Sequence, residues 1–204
     1  RIGKHGKQDR TGADARFHDT FGITVDPAGQ TVVADFSNHA VRLVSQAGAV
    51  STLAGGGAAG FADGQGAAAR FFAPFSVVVV PTSGEFVVSD FHNHALRVVT
   101  PGGAVRTLAG NGEAGFADGQ GAAARFHFPA GLALDADGRS VLVADRLNHA
   151  VRRVTMAGAV STVAGNGQKG FADGEGAAAR FNGPIDVVVD KEGTMVVADT
   201  NNHR

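Results

Sequence analysis

Ala62-Asp63-Gly64-Gln65-Gly66-Ala67-Ala68-Ala69-Arg70-Phe71 returns unchanged at 117–126 and, with Glu175 in place of the glutamine, at 172–181. A worn copy, Gly12-Ala13-Asp14-Ala15-Arg16-Phe17, precedes them. The Arg-Phe pairs begin at Arg16, Arg70, Arg125 and Arg180, so the spacings are 54, 55 and 55 residues. A period this regular marks an architecture in which one supersecondary unit recurs and buries its apolar face against its neighbours. Residues present in every unit are therefore expected to serve the fold first.

The third unit shows what the repeat contains. Ala130 to Asp135 is a short apolar run with Gly131 near its start, and Asp137-Gly138 signals a turn. Ser140 to Asp145 is apolar and β-branched, and Asn148 to Val154 roughly alternates apolar and polar. Ala157-Gly158 turns again, and Ala159 to Ala164 alternates before Gly165. These are four strands of five to six residues joined by turn residues. The first two read as buried on both faces, and the last two as wet on one face. That gradient predicts a four-stranded blade of a β-propeller, inner strands at the centre and outer strands at the rim. A solenoid is the rival, but its repeats run about 20–45 residues with one or two elements each. Ala177-Ala178-Ala179 reads as one helical turn or a loop in the connection to the next unit.

The turn between second and third strands carries a further motif. Asn38-His39-Ala40-Val41-Arg42, Asn93-His94-Ala95-Leu96-Arg97 and Asn148-His149-Ala150-Val151-Arg152 recur, and Asn202-His203-Arg204 is a shortened copy. Asp35, Asp90, Asp145 and Asp199 stand just before them. With these elements the chain resembles the NHL-repeat family. The family's Val-Ala-Asp element stands at 33–35, 143–145 and 197–199, with Val88-Ser89-Asp90 as a variant. Its Arg-Phe-X-X-Pro-X-Gly opening is complete only at 125–131. Thr20 replaces the proline in the first copy, while Ser76 and Asp186 replace the glycine in the second and fourth. The resemblance implies a propeller, commonly six-bladed, and implies little about function, because function is grafted onto folds.

The expected fold is all-β: four-stranded antiparallel blades of about 55 residues, three complete and one half. One propeller region fills residues 1–204, with repeats near 17–70, 71–125, 126–180 and a partial 181–204. Neither terminus supplies the strands missing from the last blade, so the chain reads as a piece of a longer propeller. A four-bladed closure with a defective last blade is the alternative. An open edge at Met195–Asp199 would invite pairing with another chain.

Composition narrows the functional classes. Eighteen basic against nineteen acidic residues give a net charge of −1, which speaks against a basic nucleic-acid surface. Without cysteine there is no disulfide or thiolate metal site. No apolar run approaches 18 residues, so no membrane segment is read in this span. Tyr and Trp are absent, and 14 Phe carry all the aromatic burial.

Asp35, Asn38, His39 and their equivalents (Asp90, Asn93, His94; Asp145, Asn148, His149; Asp199, Asn202, His203) read as turn-capping groups, since short polar side chains satisfy backbone groups that turns leave open. Arg16, Arg70, Arg125 and Arg180 are expected to pair with these aspartates. The Ala-Asp-Gly-X-Gly stretches read as glycine turns, since a calcium loop needs several oxygen ligands. Gly110-Asn111-Gly112 and Gly165-Asn166-Gly167 lack the Lys and Ser/Thr of a phosphate loop. His92 reads as a solvent-facing substitution.

Positions where the repeats disagree carry the candidate site. His18, Phe72, His127 and Asn182 follow the Arg-Phe pair, and Asp19, Phe75, Phe128, Ile185 and Asp186 are nearby. These residues are assigned to a channel-side binding face. The leading expectation is a non-catalytic scaffold for a protein partner, within a larger protein or assembly, with no cofactor. The alternative is a hydrolase or lyase in which His18, His127 and Asp186 hold Zn²⁺ or Ca²⁺ and activate water. Some propellers similar to this family are metal enzymes of that kind. A third reading is RNA binding, known for some NHL modules, which wants a positive face with stacking aromatics. The only basic cluster, Arg1 to Lys7, reads as a solvated loop.

Overall fold

The computed structural model describes residues 6–204; the basic cluster's first five residues lie outside the described residues. The chain is all-β. Its first sheet runs in the order β1 (Thr20–Val25), β2 (Thr31–Asp35), β3 (Ala40–Val44), β4 (Val50–Gly55). The second adds a short outer strand β5 (Gly64–Gln65) to β6 (Pro74–Val79), β7 (Phe86–Asp90), β8 (Ala95–Val99) and β9 (Ala104–Ala109), in the order β5-β9-β8-β7-β6. The third repeats that pattern with β10 (Gly119–Gln120), β11 (Pro129–Leu134), β12 (Ser140–Asp145), β13 (Ala150–Thr155) and β14 (Ala159–Ala164). The fourth pairs β15 (Pro184–Val189) with β16 (Met195–Asp199). Neighbours in the third sheet are antiparallel, Val143 facing Leu132 on one side and Arg152 on the other.

The Gly-Ala-Ala stretches settle as single 3-10 turns at Gly66–Ala68, Gly121–Ala123 and Gly176–Ala178. The expected strand gradient needs one correction. The middle two strands are the best buried: every residue of β7, β8 and β12 is buried, while β1 exposes alternate residues. The alternation of the third strand suggests a wet face. Its polar position is Arg42, Arg97 or Arg152, and each of these is fully buried.

The described chain falls into two compact units, one comprising the segment up to Asp90 together with Arg97–Arg106, the other comprising Phe91–Leu96 and Thr107–Arg204. The first unit's core joins Val32, Ala34, Val41 and Ala54 of the first sheet to Phe71, Val77, Val88 and Val99. In the second unit Leu142 and Val151 pack on Val187, with Phe181 and Val197 around them. In both units the first strands of successive sheets come close. A Cβ on Gly22 would stand 2.5 Å from the Ser76 Cα, and one on Gly131 would overlap Asp186. Glycine in one repeat thus makes room for the larger residue in the next, which explains the glycine at positions 22 and 131.

Candidate functional site

Each signature aspartate anchors a buried polar frame. Asp145 Oδ1 accepts the His127 N–H at 2.8 Å, while Oδ2 accepts Asn148 Nδ2 at 2.8 Å and Arg152 Nη1 at 2.7 Å. Arg152 Nη1 also donates to the Arg125 carbonyl, and Nη2 to the Ala117 carbonyl and to Asp118 at 2.7 Å. Thr162 closes the frame by donating its N–H and hydroxyl to Asp118. The first copy repeats this with Asp35, Asn38, Arg42 and Asp9, and the second with Asp90, Arg97 and Asp63. The Arg152 guanidinium lies over the rings of Phe116 and Phe126 at 4.9 and 5.4 Å. A charge this deeply buried is tolerable only when paired and hydrogen-bonded. The Nε atoms of Arg42, Arg97 and Arg152 have no partner among the described residues, identically in three copies, so this is a property of the repeat. In the fourth copy Asp199 accepts from the Asn182 N–H and Asn202, and Arg204 lies over Phe171.

Two expectations are corrected here. The aspartates pair with the arginine of the Asn-His motif, not with Arg16, Arg70 or Arg125, which contribute backbone carbonyls instead. The aspartates of the Ala-Asp-Gly-Gln-Gly stretch are ion-pair partners as well as turn residues. Partial burial opposes ionisation of Asp118, but hydrogen bonds from Arg152 and Thr162 hold it below the ordinary carboxylate range. Burial pushes Asp145 up to about 6, against the pull of Arg152 and Asn148, so it is ionised at neutral pH.

The motif histidines close short 3-10 turns with left-handed backbone, φ 53° at His39 and 50° at His94 and His149. Their Nδ1 atoms accept backbone N–H groups: Ala73 to His39, Phe128 to His94, Gly183 to His149, at 3.0–3.2 Å. An imidazole in this role must be neutral at Nδ1. Burial lowers the affinity of all three for a proton. At His94 the neighbouring His127 and His92 lower it further.

One place departs from the repeat. Phe128 stacks on Phe91 at 4.9 Å between ring centroids, and His92, His94 and His127 surround it at 5.2, 4.7 and 5.1 Å. His94 and His127 meet edge to face at 5.5 Å. Phe128 itself has φ 56°. Asp19, Ala73 and Gly183 hold the same left-handed position in the other copies. A bulky side chain is out of place there, at a cost of about 1–2 kcal/mol. Phe91 is buried, and His92, His127 and Phe128 are each half-buried. His92 is thus packed edge-on against two phenyl rings rather than simply facing solvent. Its contribution is invisible in the sequence, where it varies against Ser37, Leu147 and Asn201.

The remaining candidates divide between the units. In the first, the His18 N–H donates to Asp35, its imidazole lies 3.7 Å from Asp19, and Asp19 accepts the Ser37 hydroxyl at 2.8 Å. Phe75 stacks on Phe21 at 4.7 Å, and Phe72 meets His39 edge-on. In the second, Asn182 donates its N–H to Asp199, Ile185 is half-buried, and Asp186 is exposed on β15. Partial desolvation of its carboxyl raises the proton affinity of Asp186. Among the described residues no group of three or more His, Asp or Glu is placed to hold a metal ion. Among them, too, no helix is long and apolar enough to cross a membrane.

The NHL repeat family matches residues 181–204. NHL repeat-containing protein 2 of Gallus gallus is 34% identical over 137 residues, 62% of this chain and 19% of that protein. The chain spans 14% and 19% of the length of the first curated relatives it matches. Among solved structures, an auxiliary nutrient binding protein from Bacteroides thetaiotaomicron superposes with a TM-score of 0.75 at 20% identity, over 93% of this chain and 47% of that one. Virginiamycin B lyase from Staphylococcus aureus superposes with a TM-score of 0.58 at 12% identity, over 88% and 48%. At such identities the likeness is one of fold. Residues 181–204 match an NHL repeat, and the chain has the antiparallel sheets of propeller-like proteins.

Proposed function

We propose that this chain is a non-catalytic interaction scaffold that engages a protein partner through the loop residues around Phe128. The observation that supports this reading is the Phe91–His92–His94–His127–Phe128 cluster, in which three imidazoles gather around a half-buried phenyl ring held on left-handed backbone. Rigid scaffolds present binding residues on loops, and a strained residue at such a place points to a use beyond folding. Aromatic anchors with polar rims are what protein partners select.

Phe128→Gly tests it. Gly183 occupies the same backbone position with φ 65°, so glycine fits there and only the ring is lost. Affinity capture from a source extract should recover a partner with the parent chain and lose it with the Gly variant, while circular dichroism stays the same. Equal recovery by both chains would overturn the reading.

A further inference from the structure

Three Asn-Gly pairs stand in this chain, at 111–112, 166–167 and 182–183. The pairing carries chemistry of its own. A glycine nitrogen can approach the carbonyl carbon of the preceding asparagine side chain, because no Cβ screens it and its backbone is permissive. In the sequence the three pairs are alike; in the fold they are not.

At Asn182-Gly183 the nitrogen is occupied. The Gly183 N–H donates to His149 Nδ1 at 3.0 Å, and the Asn182 N–H donates to Asp199 at 2.7 Å. Gly183 is also buried, and a Cβ on it would stand 2.5 Å from the Asn201 amide nitrogen. At the other two pairs the glycine N–H makes no hydrogen bond among the described residues. There the asparagine Oδ1 accepts the N–H of the residue after the glycine, Glu113 to Asn111 and Gln168 to Asn166, both at 3.1 Å. That bond folds the side chain back along its own backbone, beside the glycine nitrogen. Both turns lie at the surface, with Glu113 and Gln168 exposed.

These two turns differ at the leaving nitrogen. Asn166 Nδ2 donates to the Ala177 carbonyl at 3.1 Å, which ties it down. The corresponding carbonyl of the preceding repeat, Ala122, accepts Arg125 Nη1 at 2.6 Å instead. The Asn111 amide therefore lacks the tether that Asn166 has.

We infer that Asn111 is a site of spontaneous covalent modification, losing its side-chain amide in the folded chain ahead of Asn166 and Asn182. The Gly112 nitrogen attacks Asn111 Cγ, giving up its proton as the new C–N bond forms. The Cγ–Nδ2 bond breaks, and that nitrogen leaves as ammonia. Water then opens the cyclic imide at either carbonyl, to aspartate or to isoaspartate, and no oxidant or cofactor is consumed. Each product adds a negative charge beside Glu113. The isoaspartate also lengthens the backbone next to Gly110, where a Cβ would already stand 2.5 Å from the His94 carbonyl oxygen.

The test incubates the chain in warm, mildly alkaline water enriched in heavy oxygen, folded and in urea, and maps its peptides by mass spectrometry. In the folded chain the label should enter at 111 several-fold faster than at 166, with 182 unchanged over the same period. In urea the three sites should convert at similar rates, because only the fold distinguishes them. Asn111→Gln keeps an amide but closes the cyclic imide poorly; it should lose the label at 111 alone and leave circular dichroism the same. Three results would overturn the inference: no conversion at 111 in the folded chain, conversion at 166 or 182 as fast as at 111, or an order in urea that matches the folded one.

Discussion

The Asp145–Arg152–Asp118 frame and the Phe128 cluster adjoin at His127-Phe128, yet they obey different rules. His127 joins them, its N–H bonded to Asp145 and its ring beside Phe128. The frame occurs three times with the same partners and with hydrogen-bond lengths of 2.6–2.8 Å between each arginine and its aspartates. The cluster occurs once, and it sets a phenyl ring on a left-handed position that Gly183 fills without strain. A repeated feature is what the fold requires of every unit. An unrepeated one that costs stability has to be explained by something the fold does not require.

The sharpest way to break the frame is Arg152→Met. It leaves Asp145 buried beside the Asn148 amide with no cation, and losing one partner of a buried pair costs about 3–5 kcal/mol. The urea midpoint should fall steeply, with the loss appearing in the second unit first. Arg152→Met combined with Asp145→Leu should recover part of it, because well-packed apolar residues can replace a buried pair. A single variant as stable as the parent would show that the frame is not holding the fold.

Gly131→Ala tests how the strands around both features approach. The added methyl would overlap Asp186, backbone included, so β11 and β15 must shift. Overpacking of this kind costs about 1–3 kcal/mol. Gly131→Ala with Asp186→Gly should regain most of the loss, because it only exchanges the small and large partners. A cost unchanged in the double variant would place the effect elsewhere.

Much of this architecture is legible in the order of the amino acids. The 55-residue period, the turn signals and the apolar runs point to four antiparallel strands per unit, because strand and turn preferences act locally. The frame is half legible. Asp35, Asn38 and His39 stand out as turn residues, but recurrence alone pairs the aspartate with Arg16, whereas its partner is Arg42. Spacing does not say which of two recurrent arginines points inward, and Arg42 sits at a strand position that alternation assigns to solvent. The cluster is least legible. His127 and Phe128 stand out because they vary, while Phe91 and His92 come from the turn of the preceding repeat and are brought in only by tertiary packing.

Acid separates the two regions more gently. Burial, the largest cause in each case, lowers the proton affinity of His39, His94, His127 and His149 from an ordinary value of 6.5. The unfolded chain then takes up protons at a higher pH than the folded one. The stability these groups contribute is complete above pH 6.5 and is lost as pH falls below it, through their folded values. Asp145, raised to about 6, works in the opposite direction, protonating first in the folded state, and offsets part of that loss. Asp9 and Asp118, held below 3.8, lose their contribution only in a much lower window. Urea midpoints between pH 7.5 and 5 should therefore decline before Asp9 and Asp118 titrate. His127→Asn, the residue the fourth copy carries at Asn182, should flatten that decline, because it removes one of the imidazoles that crowd His94. An unchanged slope would mean the motif histidines alone set it.

The smallest effect is the most discriminating. Phe128→Gly removes a ring stacked on Phe91 and relieves a left-handed phenylalanine. The lost packing and the relieved strain, each about 1–2 kcal/mol, oppose each other. The urea midpoint should therefore move little in either direction, whereas Phe128→Ala keeps the strained backbone, loses the ring and should be less stable than the Gly variant. If both substitutions were strongly and equally destabilising, Phe128 would be a core residue like Phe126, and the cluster would belong with the frame. If the Gly variant holds its stability, the ring at 128 is kept for something outside the fold, and the half-exposed imidazoles around it mark where that contact is made.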